Sequence, residues 1–141
     1  MSASAGLPAE VRAFLEAMQV PGVLATLAPD GSPITSAVWY ALDGDDVVIS
    51  TPATRPKARN VRLDGRVSFV VDTKDMPYRG VCIEGTASAE DDPGTATMFA
   101  IARRYLGPDL PDRIRERAAM GARTIIRIRV VRVRPWNLGP G

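Results

Sequence analysis

The chain has 141 residues, 45% of them hydrophobic and 24% charged, with 18 basic and 16 acidic side chains, no histidine and one cysteine. The length suits one domain with a sizeable core; the missing imidazoles exclude His-dependent triads, histidine metal or haem sites and histidine proton shuttles, and a lone Cys82 excludes disulfide frameworks, CxxC redox pairs and multi-thiolate zinc sites. No apolar run approaches the ~18 residues of a membrane span and the opening MSASAGLPAE lacks secretory-signal character, so we expect a cytoplasmic protein without membrane contact or metal, whose chemistry, if it is an enzyme, comes from a bound cofactor.

Leu7-Pro8-Ala9-Glu10 puts a proline where a first helical turn tolerates it, and Val11, Phe14, Leu15 and Met18 follow at helical spacing. This predicts a helix over 8–19. An apolar run over 22–28, the turn signal Pro29-Asp30-Gly31-Ser32 and strand formers over 33–42 predict a hairpin. Asp43-Gly44-Asp45-Asp46 turns the chain again, into a third strand over 47–51. A short helix is expected over 54–63, with Thr54 as N-cap, Pro56 in the first turn and Gly65 as a left-handed cap after Asp64. Residues 66–72 and 78–89 read as strands four and five. Asp91-Asp92-Pro93 marks a helix start, after which Met98, Ile101, Ala102, Tyr105 and Leu106 form one apolar stripe closed by Gly107-Pro108. A further helix over 111–120 and a long last strand over 124–134 complete the chain.

In that last strand Ile126, Ile128 and Val130 alternate with Arg127 and Arg129, and then Val131 and Val133 take the other parity, so a bulge is expected near Val130 or Val131. The charge is uneven: residues 1–94 carry eight basic and thirteen acidic groups, residues 95–141 ten and three. Solvated edge arginines account for the last strand, and a basic groove for a polyanion is the alternative.

No repeat, low-complexity tract or linker divides the chain, so residues 1–141 form one domain. The strand-to-strand links are too short for parallel crossovers. The economical architecture is mainly β: a six-stranded antiparallel barrel with peripheral helices. Alternating βα units and a GxGxxG turn are both missing, which argues against a doubly wound nucleotide fold.

The segment running from Ser50-Thr51-Pro52 into Arg55-Pro56-Lys57-Ala58-Arg59-Asn60 is the most informative for chemistry. Arg55 and Lys57 place two cations at the positive end of a helix dipole, where each costs about 0.3–1 kcal/mol. Either they are exposed and screened, or with free backbone N–H groups they form an anion site best suited to phosphate. Arg62 and Arg66 read as solvated, Cys82 as an inert strand residue, and Trp39 and Tyr40 as core aromatics or flankers of a ligand.

The motifs Gly22-Val23-Leu24-Ala25-Thr26, Asp30-Gly31-Ser32-Pro33, Val38-Trp39-Tyr40, Ser50, Arg55-Pro56-Lys57-Ala58-Arg59-Asn60, Val67-Ser68-Phe69-Val70-Val71-Asp72 and Glu84-Gly85-Thr86-Ala87 occur in one order. Over roughly residues 8–136 the chain resembles the pyridoxamine 5'-phosphate oxidase-like split-barrel proteins, and within them the branch that uses the deazaflavin coenzyme F420 in place of FMN. The resemblance implies an FMN-binding-like split β-barrel homodimer with cofactor sites in grooves between subunits. It implies that Arg55 and Lys57 contact the phosphate, with Ser50, Thr51, Pro56 and Asn60 in the same wall. In the loop Thr73-Lys74-Asp75-Met76-Pro77-Tyr78-Arg79, Tyr78 takes the place of an aromatic near the coenzyme, and Met76 and Pro77 supply apolar wall.

The functional expectation is an oxidoreductase passing a hydride from reduced coenzyme F420 to a small conjugated organic acceptor. Tyr40, Tyr78, Arg79 or solvent are candidates to supply or polarise the proton. FMN is the alternative cofactor, and a non-catalytic flavin or deazaflavin carrier the alternative role. Nucleic-acid binding is disfavoured, because few aromatics lie near the last-strand arginines to stack bases.

Overall fold

A computed structural model of the chain describes residues 6–139. Helix α1 (Ala9–Ala17) follows Pro8 and buries Val11, Phe14 and Leu15. Strands β1 (Gly22–Leu27) and β2 (Pro33–Val38) form the expected hairpin, in register from Gly22 opposite Val38 to Leu27 opposite Pro33. Its turn is closed by the Ser32 amide, which donates to the Asp30 carboxylate at 2.9 Å.

The strand expected over 33–42 is two strands. β2 stops at Val38, and β3 (Ala41–Asp43) begins after Trp39-Tyr40. The break has a packing cause: the Tyr40 ring is fully buried and its hydroxyl donates to the Leu15 carbonyl at 2.7 Å, which pins the chain against α1. β4 (Asp46–Pro52), β5 (Arg66–Asp72), β6 (Gly80–Asp91) and β7 (Arg123–Trp136) complete a seven-stranded antiparallel sheet, one strand more than expected.

The sheet order is β2-β1-β5-β6-β7-β4-β3. Its edge strands, β2 and β3, are joined by only two residues, so the strip must curl until its edges approach. Alternate side chains then fill one interior: Leu24, Val47, Ile49, Val67, Phe69, Val71, Val81, Ile83, Ile126 and Ile128 share a single cluster with Val11, Phe14 and Leu15 of α1. The bulge falls where the alternation shifts. Arg132 opposes Glu84 and Val130 opposes Gly85, so Val131 is the extra residue. That one insertion keeps Val133 against the core while Arg127, Arg129, Arg132 and Arg134 all stay outside.

Helix α2 (Pro56–Leu63) closes one end of the barrel and contributes Val61 to the core. It starts one turn position later than expected: Arg55, not Thr54, is the N-cap, and no side chain caps the helix. Gly65 is not left-handed. A Cβ there would lie 2.7 Å from the Ala87 carbonyl oxygen, so the residue is small because β6 passes close by. Helix α3 (Ala96–Leu106) starts as Asp91-Asp92-Pro93 suggests, since the buried Asp92 carboxylate accepts from the Met98 amide at 3.1 Å and the Thr97 amide at 3.5 Å. It covers the outer face of the sheet through Ile101, packed with Val48 and Ile125, while Met98 and Ala102 receive Ile114 of α4 (Asp112–Ala118). Among the described residues, no helix is long and apolar enough to cross a membrane.

Candidate functional site

Ser50, at the end of β4, lies on the outer side of the sheet beside the start of β7, where Arg123 pairs with Pro52. From there the chain tightens into α2: the Arg55 amide donates to the Pro52 carbonyl at 3.1 Å and the Ala58 amide to the Arg55 carbonyl at 3.1 Å. Pro56 has no amide hydrogen. The Lys57 amide has no acceptor among the described residues, and it stands at the positive end of the helix dipole.

The cations gather on this point. Lys57 is half-buried, and its ammonium is held below the usual lysine range by burial first, then by Arg55 and Arg123. Arg123 is disfavoured in the same way by burial, Arg117 and Arg55, with only Asp92 opposing. Its Nε and one terminal nitrogen reach the Ser50 hydroxyl oxygen at 3.3 and 3.1 Å. Arg123 carries no motif in the sequence. Only the pairing of β4 with β7 puts it beside the start of α2, and its position before a predicted strand was the one available hint.

Two residues expected in the same wall turn inward instead. Thr51 and Asn60 are each 1% exposed, and the Asn60 amide donates to the Thr26 hydroxyl at 3.1 Å across the seam between α2 and β1. The alternation of β4 requires this for Thr51, which shares the inward parity of Ile49 while Ser50 shares that of Val48. Arg62 is structural: its guanidinium donates to the Ala53 carbonyl at 3.2 Å and the Thr124 hydroxyl at 3.1 Å, tying α2 to the barrel. Of the residues expected in this wall, Arg55 and Pro56 are exposed and Ser50 and Lys57 are half-buried.

Met76, Pro77, Tyr78 and Arg79 lie elsewhere. Their loop follows the end of β5, whereas α2 precedes its start. The same separation holds on β7, where Trp136 pairs with Gly80 beside the loop, and Arg123 lies thirteen residues away, roughly 40 Å along the strand. Within one chain, therefore, the cation cluster and the aromatic loop sit at opposite ends of the barrel. Met76 and Tyr78 are 79% and 53% exposed, a large apolar surface for a loop. The loop is held from behind: Asn137 donates to the Tyr78 carbonyl at 2.8 Å, and the Arg79 guanidinium lies 5.5 Å from the Phe14 ring centre.

Tyr40 is not a proton donor to any ligand. It is fully buried, its hydroxyl is committed to backbone carbonyls of α1, and burial pushes its pKa up to about 12. Tyr40→Phe should cost about 1 kcal/mol of unfolding free energy in urea titration and leave turnover unchanged; a loss of turnover beyond the loss of folded protein would restore it as a candidate. Trp39 stacks on Tyr105 with ring centres 4.8 Å apart and belongs to the packing under α3. The last-strand arginines are largely paired. Arg127 contacts Glu90, Asp43 and Asp46 at 2.8, 2.9 and 3.3 Å, and Arg132 and Arg134 both reach Glu84. Among the described residues, no group of three or more Cys, Asp or Glu side chains is placed to hold a metal.

Comparison with known proteins supports the fold. A structure of a conserved hypothetical protein from Mycobacterium tuberculosis superposes with a TM-score of 0.79 at 30% identity, covering 98% of this chain and 89% of that one. A structure described as an F420 reductase superposes with a TM-score of 0.75, also at 30% identity, covering 91% of this chain and 98% of that one. General stress protein 26 from Bacillus anthracis shares the fold at 16% identity, with a TM-score of 0.68 and coverage of 89% and 90%. The model of the pyridoxamine 5'-phosphate oxidase family matches residues 7–137, and with a split barrel, a basic helix start and these relatives in agreement, the chain belongs to that family.

Proposed function

We propose that this protein is an oxidoreductase that binds a phosphate-bearing tricyclic cofactor, coenzyme F420 in preference to FMN, and reduces a small conjugated organic acceptor. The observation that carries the reading is the start of α2, where the Lys57 amide, the Lys57 ammonium and the Arg55 guanidinium lie near one another and, among the described residues, the amide has no acceptor and neither cation contacts a carboxylate. That set fits a phosphate in charge, donor type and position. The name of the 30%-identical F420 reductase supports the choice of deazaflavin.

When bound, the reduced deazaflavin supplies a hydride from carbon. The chain's part is to bind, orient and exclude water. Arg55, the Lys57 ammonium and the Lys57 amide hold the phosphate, and Ser50 lies alongside. Met76, Pro77 and Tyr78 supply an apolar wall, and Tyr78 or Arg79 polarises the acceptor. Because the two sets lie at opposite ends of one barrel, we place each site in a groove between two copies, with the helix start of one facing the loop of the other.

The test is a visible spectrum of the purified protein followed by fluorescence titration with FMN and with coenzyme F420. Colourless protein that binds added deazaflavin more tightly than FMN supports the proposal. Yellow protein absorbing near ~450 nm transfers the reading to FMN. Tight binding with no acceptor reduced across a broad panel makes the protein a carrier.

The lysine also sets a pH dependence. A lysine held below its usual 10.5 in the folded protein weakens the fold while charged. That cost is present in full below the folded pKa and disappears as pH rises past the unfolded one. Ligand binding runs the other way, because the phosphate needs the ammonium. Cofactor affinity should therefore fall on the alkaline side at a pH below 10.5, with apo-protein stability rising over the same interval. Fluorescence titrations between neutral and alkaline pH, paired with urea denaturation, would check both signs.

A further inference from the structure

The chain beyond β7 makes a contact that phosphate binding at the other end of the barrel does not use. β7 keeps its register to the end, with Pro135 opposite Val81 and Trp136 opposite Gly80. Two residues later, Leu138 packs against the barrel core. Between these anchors Asn137 has a φ of 54°, in the left-handed region that asparagine tolerates better than most residues with a side chain. From there its side-chain amide donates to the Tyr78 carbonyl at 2.8 Å.

The receiving loop is closed at its neck by its own groups. The Thr73 amide donates to the Arg79 carbonyl at 2.9 Å, the Arg79 amide to the Thr73 hydroxyl at 3.1 Å, and that hydroxyl to the Asp75 carbonyl at 3.2 Å. None of these bonds reaches the exposed tip, Met76, Pro77 and Tyr78. Among the described residues, the one hydrogen bond to the tip comes from Asn137. The same segment presses on the exit of the loop, since a Cβ on Gly80 would lie 2.5 Å from the Trp136 indole. A tip held in this way loses less conformational freedom when a ligand meets it than a free one would.

We infer that Asn137 is a positioning residue: it fixes the Tyr78 backbone and so holds the Tyr78 ring where it meets the cofactor. This rests on the proposed reading of the loop as the apolar wall of the site, and names the residue outside the loop that sets its geometry. Asn137 acts through Tyr78 and is not itself a catalytic residue.

The test uses two variants of the full chain. Asn137→Gly frees the backbone and removes the donor, whereas Asn137→Asp keeps the shape and the left-handed preference but, ionised, cannot donate. Both should speed amide hydrogen exchange over residues 74–80 by about threefold or more, with exchange over residues 66–72 of β5 unchanged. Both should also weaken coenzyme F420 by about threefold or more in fluorescence titration. In a Tyr78→Ala background, which alone weakens F420 about tenfold, either variant should add less than about twofold, because the ring it positions is gone. A larger added loss, a smaller change in exchange or affinity, or parent-like behaviour of Asn137→Asp overturns the positioning role. Lys57→Ala reads the cofactor proposal separately. If F420 affinity falls with Lys57→Ala but not with Tyr78→Ala, the cofactor reading stands and this inference fails; if the parent binds no F420, both fail.

Discussion

Replacing Lys57 by alanine weakens cofactor binding at least about tenfold, or about 1.4 kcal/mol, the low end for one lost charged hydrogen bond to phosphate. The variant should not be less stable than the parent. In the folded protein the ammonium is disfavoured by burial and by two neighbouring arginines, so its removal relieves a cost that only the bound anion offsets. Fluorescence titration with coenzyme F420 reads the first effect and a thermal melt the second. Unchanged affinity would remove Lys57 from the site; a large loss of stability with unchanged affinity would make it a structural residue.

The second large effect is a gain. If each site joins the α2 start of one copy to the Tyr78 loop of another, Lys57→Ala and Tyr78→Ala chains, assayed with cofactor well below the wild-type dissociation constant, each retain about a tenth of wild-type activity or less alone. Mixed after co-refolding, they should recover about a quarter of wild-type activity, because half of the dimers are mixed and each has one of two sites intact. Gel filtration of the parent should show the dimer. A mixture that stays as inactive as its components would place both residues in a site within one copy, and the roughly 40 Å of strand between the two ends makes that arrangement difficult.

Much of the fold was legible because its signals are local. The hairpin turn at Asp30-Gly31, strand β5 at Arg66–Asp72 and the bulge at Val131 follow from turn chemistry and from a change of parity. The break at Trp39-Tyr40 was not legible, because Tyr40 is a good strand residue whose fate depends on a hydrogen bond to a helix twenty-five residues earlier in the chain. Gly65 shows the same limit. A glycine after a helix suggests a left-handed cap, but here the cause is the Ala87 carbonyl on a distant strand.

The candidate site divides along the same line. Arg55, Pro56 and Lys57 stand at adjacent positions around one helix start, so their convergence is visible in the order of residues. Thr51 and Asn60 looked equivalent to them, and only the inward parity of β4 and the bond to Thr26 removed their side chains from the surface. Arg123 lies more than sixty residues after Lys57 and reaches the cluster through the pairing of β7 with β4.

By itself the amino-acid sequence narrowed the chemistry: without histidine and with one cysteine, histidine-dependent and thiol-pair mechanisms are excluded, and the cations at a helix start make a phosphate site the expectation. It also determined an antiparallel barrel, since short links between strands permit little else. The tertiary structure alone decided which polar groups are available to a ligand and which are spent inside. It also decided that the phosphate end and the aromatic loop occupy opposite ends of one barrel. The physical reason is that turns, caps and alternation act over a few residues, whereas burial and charge crowding are summed over neighbours that strand pairing brings in from across the chain.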